Sequence, residues 1–248
     1  HTSGLTRRRI PVIIPAHMHT TQKPPVSPLL VITIGILAVS TSSIFIRYAQ
    51  GYADSLVIAA YRLTLASLVL APLALTRHRA ELRSLKRAEF TLALVSGIFL
   101  AIHFATWISS LEYTTVASSV VLVTTTPLWV ALLAPLLLRE RLSPLVFAGI
   151  FLAMLGSAVV GLADTCTMQG LSVACPPFAD FVQGEAFLGD LLALAGALAA
   201  AGYVIIGRRL RARLSLVAYI FIVYGFAALT LLFYLPFTGL SLFGYPPQ

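Results

Sequence analysis

Charge is what this sequence has least of. Only 10% of its 248 residues are Asp, Glu, Lys or Arg, and 58% are hydrophobic, whereas a soluble domain carries about 25% charged residues. Too little polar material is present to cover a globule of this size, so a soluble enzyme, a nucleic-acid binder and a disordered tail are excluded. Lysine is nearly missing. Lys23 and Lys86 both fall outside the apolar runs, which removes a retinal Schiff-base protein. No glycine-rich loop followed by Lys and Ser/Thr offers a phosphate cradle. The two cysteines have no histidine near them and make no zinc site, so neither a metal nor another cofactor is expected. Apolar and polar residues do not alternate along the runs, which excludes outer-membrane strands.

What the chain does have is seven apolar runs, residues 29–46, 56–75, 90–111, 116–138, 145–163, 187–207 and 216–235, and a mean hydropathy of +0.92. Each run can cross a hydrocarbon core of about 30 Å. Backbone amides in lipid must be satisfied within their own segment, so every run is predicted helical. The expected fold class is an all-α membrane protein with seven transmembrane helices. Fifteen of the seventeen basic residues lie in the leader and in the second, fourth and sixth connections, with Arg47 and Arg62 the exceptions. That asymmetry predicts a cytoplasmic N-terminus, and it explains the net charge of +8 as topology rather than as a nucleic-acid footprint.

Residues 1–28 read as a cytoplasmic leader. Arg7, Arg8 and Arg9 precede only a short, proline-broken apolar stretch with no small-residue cleavage site, unlike a secretory signal. The chain begins with His, and Met18 is the expected initiator, which would place residues 1–17 upstream of the natural protein. Cys166 and Cys175 share the connection 164–186, which has acidic residues and no basic one. It is therefore expected outside, where an oxidising compartment favours a disulfide over two unpaired thiols.

Lipid gives helices no hydrophobic reason to associate, so small residues at four-residue spacing mark contact faces. Such stripes are Gly149, Ala153, Ser157 and Gly161 in the fifth span and Gly189, Ala193, Ala197 and Ala201 in the sixth. A faint repeat also shows: Ser55-Leu56-Val57 opens the second span and Ser215-Leu216-Val217 the seventh, while Arg47 and Arg208 close the first and sixth. A five-helix unit has odd parity, so its second copy would be inverted, as in many secondary transporters.

Ionisable residues inside the spans are Arg62, His103 and Asp190. Asp190 is expected near an end of its helix, simply solvated. Arg62 sits about 9 Å from the start of the second span and His103 about 12 Å from the end of the third, so the two can share a level. A buried arginine costs about 2.5–3.5 kcal/mol on insertion scales and faces a cavity or a partner. His103, Thr106, Trp107 and Ser110 follow at i, i+3, i+4 and i+7, one polar-aromatic face. With Arg62 and Trp129 below Pro127 they form the candidate substrate-binding set. The competing reading has Arg62 snorkelling outward, His103 bonded to a carbonyl and the hydroxyls acting as interhelical glue. An intramembrane enzyme would need a nucleophile and base or a metal cluster at one depth, and a channel a filter loop or charged ring. Neither set is present, and no catalytic residue is expected.

Several of these residues carry a resemblance. Ser43-Ile44-Phe45-Ile46-Arg47, Tyr61-Arg62-Leu63 with Ala66, the stretch 103–126 with Trp107 and Tyr113-Thr114, Thr126-Pro127, Glu140-Arg141-Leu142-Ser143 and Leu155-Gly156 resemble an EamA-type domain of the drug/metabolite transporter superfamily. The likeness covers residues 29–163 well and 187–235 less fully. It implies a first five-helix repeat at 29–163, an external loop at 164–186 and the start of a second repeat at 187–248, from a ten-helix, inverted 5+5 transporter lacking three helices here. It also implies export of small organic metabolites or amphipathic compounds, with the cytoplasmic membrane of a prokaryote as the expected place. The inverted repeat and the buried polar cluster add secondary-active transport by alternating access, and His103, as the titratable member beside Arg62, is the candidate for proton coupling. The alternative is a non-transporting seven-helix receptor or structural protein. The expected partners are a small organic solute and the lipid bilayer, not nucleic acid.

Overall fold

The computed structural model describes residues 27–138, 143–163, 166–169 and 172–245. Residues 1–26, which hold most of the leader, and Arg139-Glu140-Arg141-Leu142 of the quoted motif lie outside the described residues. Helices dominate: α1 (Pro28–Ala49), α2 (Ser55–Arg77), α3 (Arg79–Arg83), α4 (Arg87–Tyr113), α5 (Val116–Val123), α6 (Thr126–Leu138) and α7 (Pro144–Ala163). A two-stranded antiparallel hairpin follows, β1 (Thr167–Gln169) with β2 (Ser172–Ala174), then α8 (Phe178–Gln183), α9 (Glu185–Arg211) and α10 (Leu216–Thr238). Among the described residues, seven helical segments are long and apolar enough to cross a membrane: α1, α2, α4, α5–α6 together, α7, α9 and α10. The chain divides into two compact units after Val39, and the unit from Ser40 onward holds everything described below.

Local chemistry sets the helix ends. Ser215 caps α10 by accepting the Ala218 amide, and Gly239, at φ 73°, ends it in a left-handed turn that costs glycine no Cβ clash. Thr115 caps α5 through the Ser118 amide, and the Glu89 carboxylate accepts the Lys86 amide at the start of α4. The fourth span, predicted as one helix over 116–138, is broken at Thr124–Thr125. Pro127 has no N–H for the carbonyl four residues earlier, and its ring crowds that carbonyl, so a break just ahead of it is the expected distortion.

Helix α4 packs on α9 and α10, and α2 packs on α10. The small stripe of α9 is the reason α4 can approach so closely: Gly189, Ala193, Ala197 and Ala201 are all buried. A Cβ added at Gly189 would fall 2.8 Å from Thr114, and one at Gly196 would fall 3.1 Å from Thr106 Oγ1. The stripe on α7 is used only in part, since Ser157 and Gly161 are buried whereas Gly149 has nothing among the described residues within 4 Å of an added Cβ. Helices α2 and α10 run antiparallel. The segment after α2 bonds the N-cap of α10, while Tyr61 in the first turns of α2 donates to the Leu242 carbonyl beyond the end of α10 at 2.5 Å.

Candidate functional site

Arg62, next to Tyr61 in the first turns of α2, projects toward α4. Its Nη1 donates to Ser42 Oγ on α1 at 2.5 Å, and its guanidinium carbon lies 5.3 Å from the Phe104 ring centre and 5.8 Å from that of Trp107. Aromatic faces attract a cation without neutralising it, and among the described residues Arg62 forms no ion pair. His103 stacks on Trp107 with centroids 5.9 Å apart and meets Phe104 edge-on at 4.9 Å. Its Nδ1 is 2.9 Å from the Gly196 carbonyl of α9. A carbonyl can only accept, so Nδ1 carries a proton and the neutral ring has Nε2 as its acceptor. Trp107 is buried, and among the described residues its Nε1 has no hydrogen-bond partner. The group thus holds a fixed positive charge and an unengaged donor at the same aromatic wall.

The other predicted residues lie elsewhere. Thr106 donates back to the Ile102 carbonyl at 2.8 Å, and Ser110 donates to the Trp107 carbonyl at 2.6 Å and pairs with Ser119 Oγ at 2.6 Å. These hydroxyls serve the helix and the α4–α5 junction. Trp129 donates from Nε1 to Thr125 Oγ1 at 3.2 Å and lines a separate cavity between α5–α6, α7 and α9. Asp190 lines that cavity too. It is not solvated as expected but 8% exposed, accepting the Thr114 hydroxyl at 3.0 Å, because the close α4–α9 contact lays the end of α4 over it. Cys166 and Cys175 are disulfide-bonded across the β1–β2 hairpin.

Two polar clusters at the ends of α2 escaped the sequence reading. At its start, Gln50 Nε2 donates to Ser55 Oγ at 2.8 Å and to the Ile108 carbonyl at 2.7 Å, while Ser55 Oγ donates to Glu112 at 2.5 Å. Beyond its far end, on the side of the basic connections, Glu81 accepts the Ser215 amide at 2.7 Å, and His78 Nδ1 lies 2.9 Å from both Glu81 and Ser215 Oγ. Bonds from His78 and then from Ser215 hold the Glu81 carboxyl down at about 2. Arg213 pairs with Glu89 alongside. The one local signal was the i, i+3 spacing of His78 and Glu81, because the partner at Ser215 is remote in sequence. Among the described residues, no cluster of His, Cys, Asp and Glu could hold a metal.

Seven helical segments among the described residues that are long and apolar enough to cross a membrane define a multi-pass membrane protein. The model of the EamA-like transporter family matches residues 26–162, more than half of the chain, and the chain belongs to that family. A protein crystal structure is similar at 25% identity with a TM-score of 0.50, the alignment covering 81% of this chain and 62% of that one. This chain therefore spans less than two thirds of that relative's length. No curated protein matches it significantly.

Proposed function

We propose that this protein carries small organic solutes through the membrane by alternating access, with the Arg62 group as the substrate site and carboxylate-bearing anions as the preferred class. The observation that carries this reading is the pair of donors at one wall. Among the described residues the Arg62 guanidinium is balanced by a hydroxyl and two ring faces rather than by a carboxylate, and the buried Trp107 indole N–H has no acceptor. An anion would satisfy both, and a guanidinium offers a carboxylate paired hydrogen bonds. Arginine cannot be discharged at any working pH, so the site would keep its sign through the cycle. His103 is the titratable neighbour and the candidate for proton coupling, through Nε2.

Alternating access is supported by the antiparallel packing of α2 on α10, the two helices that share a Ser-Leu-Val opening, in an inverted 5+5 plan. Export, a cytoplasmic N-terminus and a prokaryotic cytoplasmic membrane complete the reading, the last two from the basic residues of the even-numbered connections. Transport by reconstituted protein tests it. Arg62→Gln should lower carboxylate transport by about tenfold or more, the scale of one lost charge-assisted pair, while neutral solutes change little. His103→Gln should flatten the pH dependence of the remaining flux. An Arg62→Gln protein with reduced folded yield and an unchanged substrate profile would make the arginine a structural anchor.

A further inference from the structure

A groove between α4, α6 and α9, lined by none of the Arg62 group, runs toward the basic end of α9. Its volume is about 310 Å³, at the small end of the range for ligand sites. Leu198, Gly202, Ile206 and Arg209 of α9 line it, and their three- and four-residue steps set them in one row along the helix. Phe99 of α4 and Leu133 of α6 supply further wall. The Phe99 ring lies so close that a Cβ at Gly202 would fall 2.8 Å from it, so a residue without a side chain is what lets the ring rest against α9. Among the described residues lining the groove, Arg209 alone has a polar side chain. It is exposed, and among the described residues it forms no hydrogen bond or ion pair. Two nearby arginines are engaged: Arg211 donates to the Leu214 carbonyl at 2.9 Å, and Arg213 pairs with Glu89. Between Leu198 and Arg209 the helix rises by about 16 Å, one leaflet's share of a hydrocarbon core of about 30 Å.

We propose that this groove holds an anionic phospholipid of the leaflet on the side of the basic connections, with its phosphodiester at Arg209 and one acyl chain along the row from Ile206 to Leu198. A guanidinium offers two phosphate oxygens paired hydrogen bonds and keeps its charge at any working pH. Basic pockets between spans are known sites for anionic headgroups. A soluble anion would use the charge and leave the apolar row empty, whereas a lipid uses both. A zwitterionic lipid would fill the row, but its own ammonium already offsets its phosphate. The inference needs only the spans and the basic end of α9, so it stands apart from the role proposed for Arg62.

Native mass spectrometry of the full chain, delipidated in a neutral detergent and titrated with dioleoylphosphatidylglycerol or dioleoylphosphatidylcholine, tests the proposal. The two lipids share their chains and differ in net charge. The first phosphatidylglycerol should bind about fivefold tighter than the first phosphatidylcholine, the scale of one arginine at a membrane surface. Arg209→Gln should abolish that preference, and Arg209→Lys should keep most of it. Arg77→Gln, which removes the same charge from the exposed end of α2, should leave it unchanged. Leu198→Trp, at a half-exposed position, fills the far end of the groove without touching the arginine and should weaken phosphatidylglycerol binding comparably. Millimolar inorganic phosphate should not displace the lipid. Equal affinity for the two lipids, an equal loss in Arg209→Gln and Arg77→Gln, or an unchanged affinity in Leu198→Trp would overturn the proposal. Displacement by inorganic phosphate would do so too, since it would make Arg209 a site for soluble anions.

Discussion

Glu81 shows how much one half-buried carboxylate can tie together. It receives the Ser215 amide and contacts His78, joining the short helix after α2 to the N-cap of α10. Its carboxyl is held at about 2, below its ordinary value of 4.5. A depressed carboxylate contributes stability in full above its unfolded pKa, and that contribution is lost as pH falls through the folded value. Thermal unfolding in detergent should therefore show a loss of stability between about pH 4.5 and pH 2 that Glu81→Gln diminishes. Equal acid sensitivity in the two proteins would show that solvent screens the group too well for it to matter. At Arg62 the same logic of partners underlies the proposed substrate role, because its contacts are a hydroxyl and two ring faces rather than a carboxylate.

Helices in lipid gain most from close backbone approach, and α4 against α9 is where this chain achieves it. Gly196 faces His103, Thr106 and Trp107 on α4, so the packing glycine also sets the position of the candidate site. Gly196→Val should cost about 1–3 kcal/mol, the usual penalty of overpacking, and should disturb transport even where the protein folds. Gly149→Ala on α7 has open space around it and should be neutral or stabilise by up to about 1 kcal/mol through helix propensity. Melting temperatures of the two variants decide this. If both melt like the parent, the α4–α9 contact yields more readily than its spacing implies.

At the scale of the whole molecule, the second and sixth connections, both basic, meet at one end of α2 and α10, and the proposed orientation puts them and the disulfide hairpin on opposite membrane faces. A membrane-impermeant maleimide applied to intact cells should label Cys166 and Cys175 only after reduction. A cysteine placed at Ser84, with both native cysteines changed to serine, should be labelled only in inverted vesicles. The reverse pattern would turn the proposed orientation upside down. The polar clusters at the two ends of α2 then lie on opposite faces, one joining it to α4 and the other to α10.

The number of spans among the described residues and their helical form were legible in the sequence, because run length and apolar content are local properties that a bilayer reads directly. So were Arg62, His103 and Trp107 as neighbours, since three of the quantities involved, depth, helical spacing and polarity, can be counted along the chain. The sidedness is proposed from the placement of Arg and Lys alone. Which wall each residue faces was decided by tertiary packing alone. Trp129 was expected to share one substrate-binding set with Arg62 and Trp107, yet it lines a cavity that those residues do not, and Asp190, expected in water, is covered by the end of α4. Helix rotation and crossing decide such facing, and they follow from contacts between residues far apart in sequence, as Gly196 with His103 and Ser215 with Glu81 show.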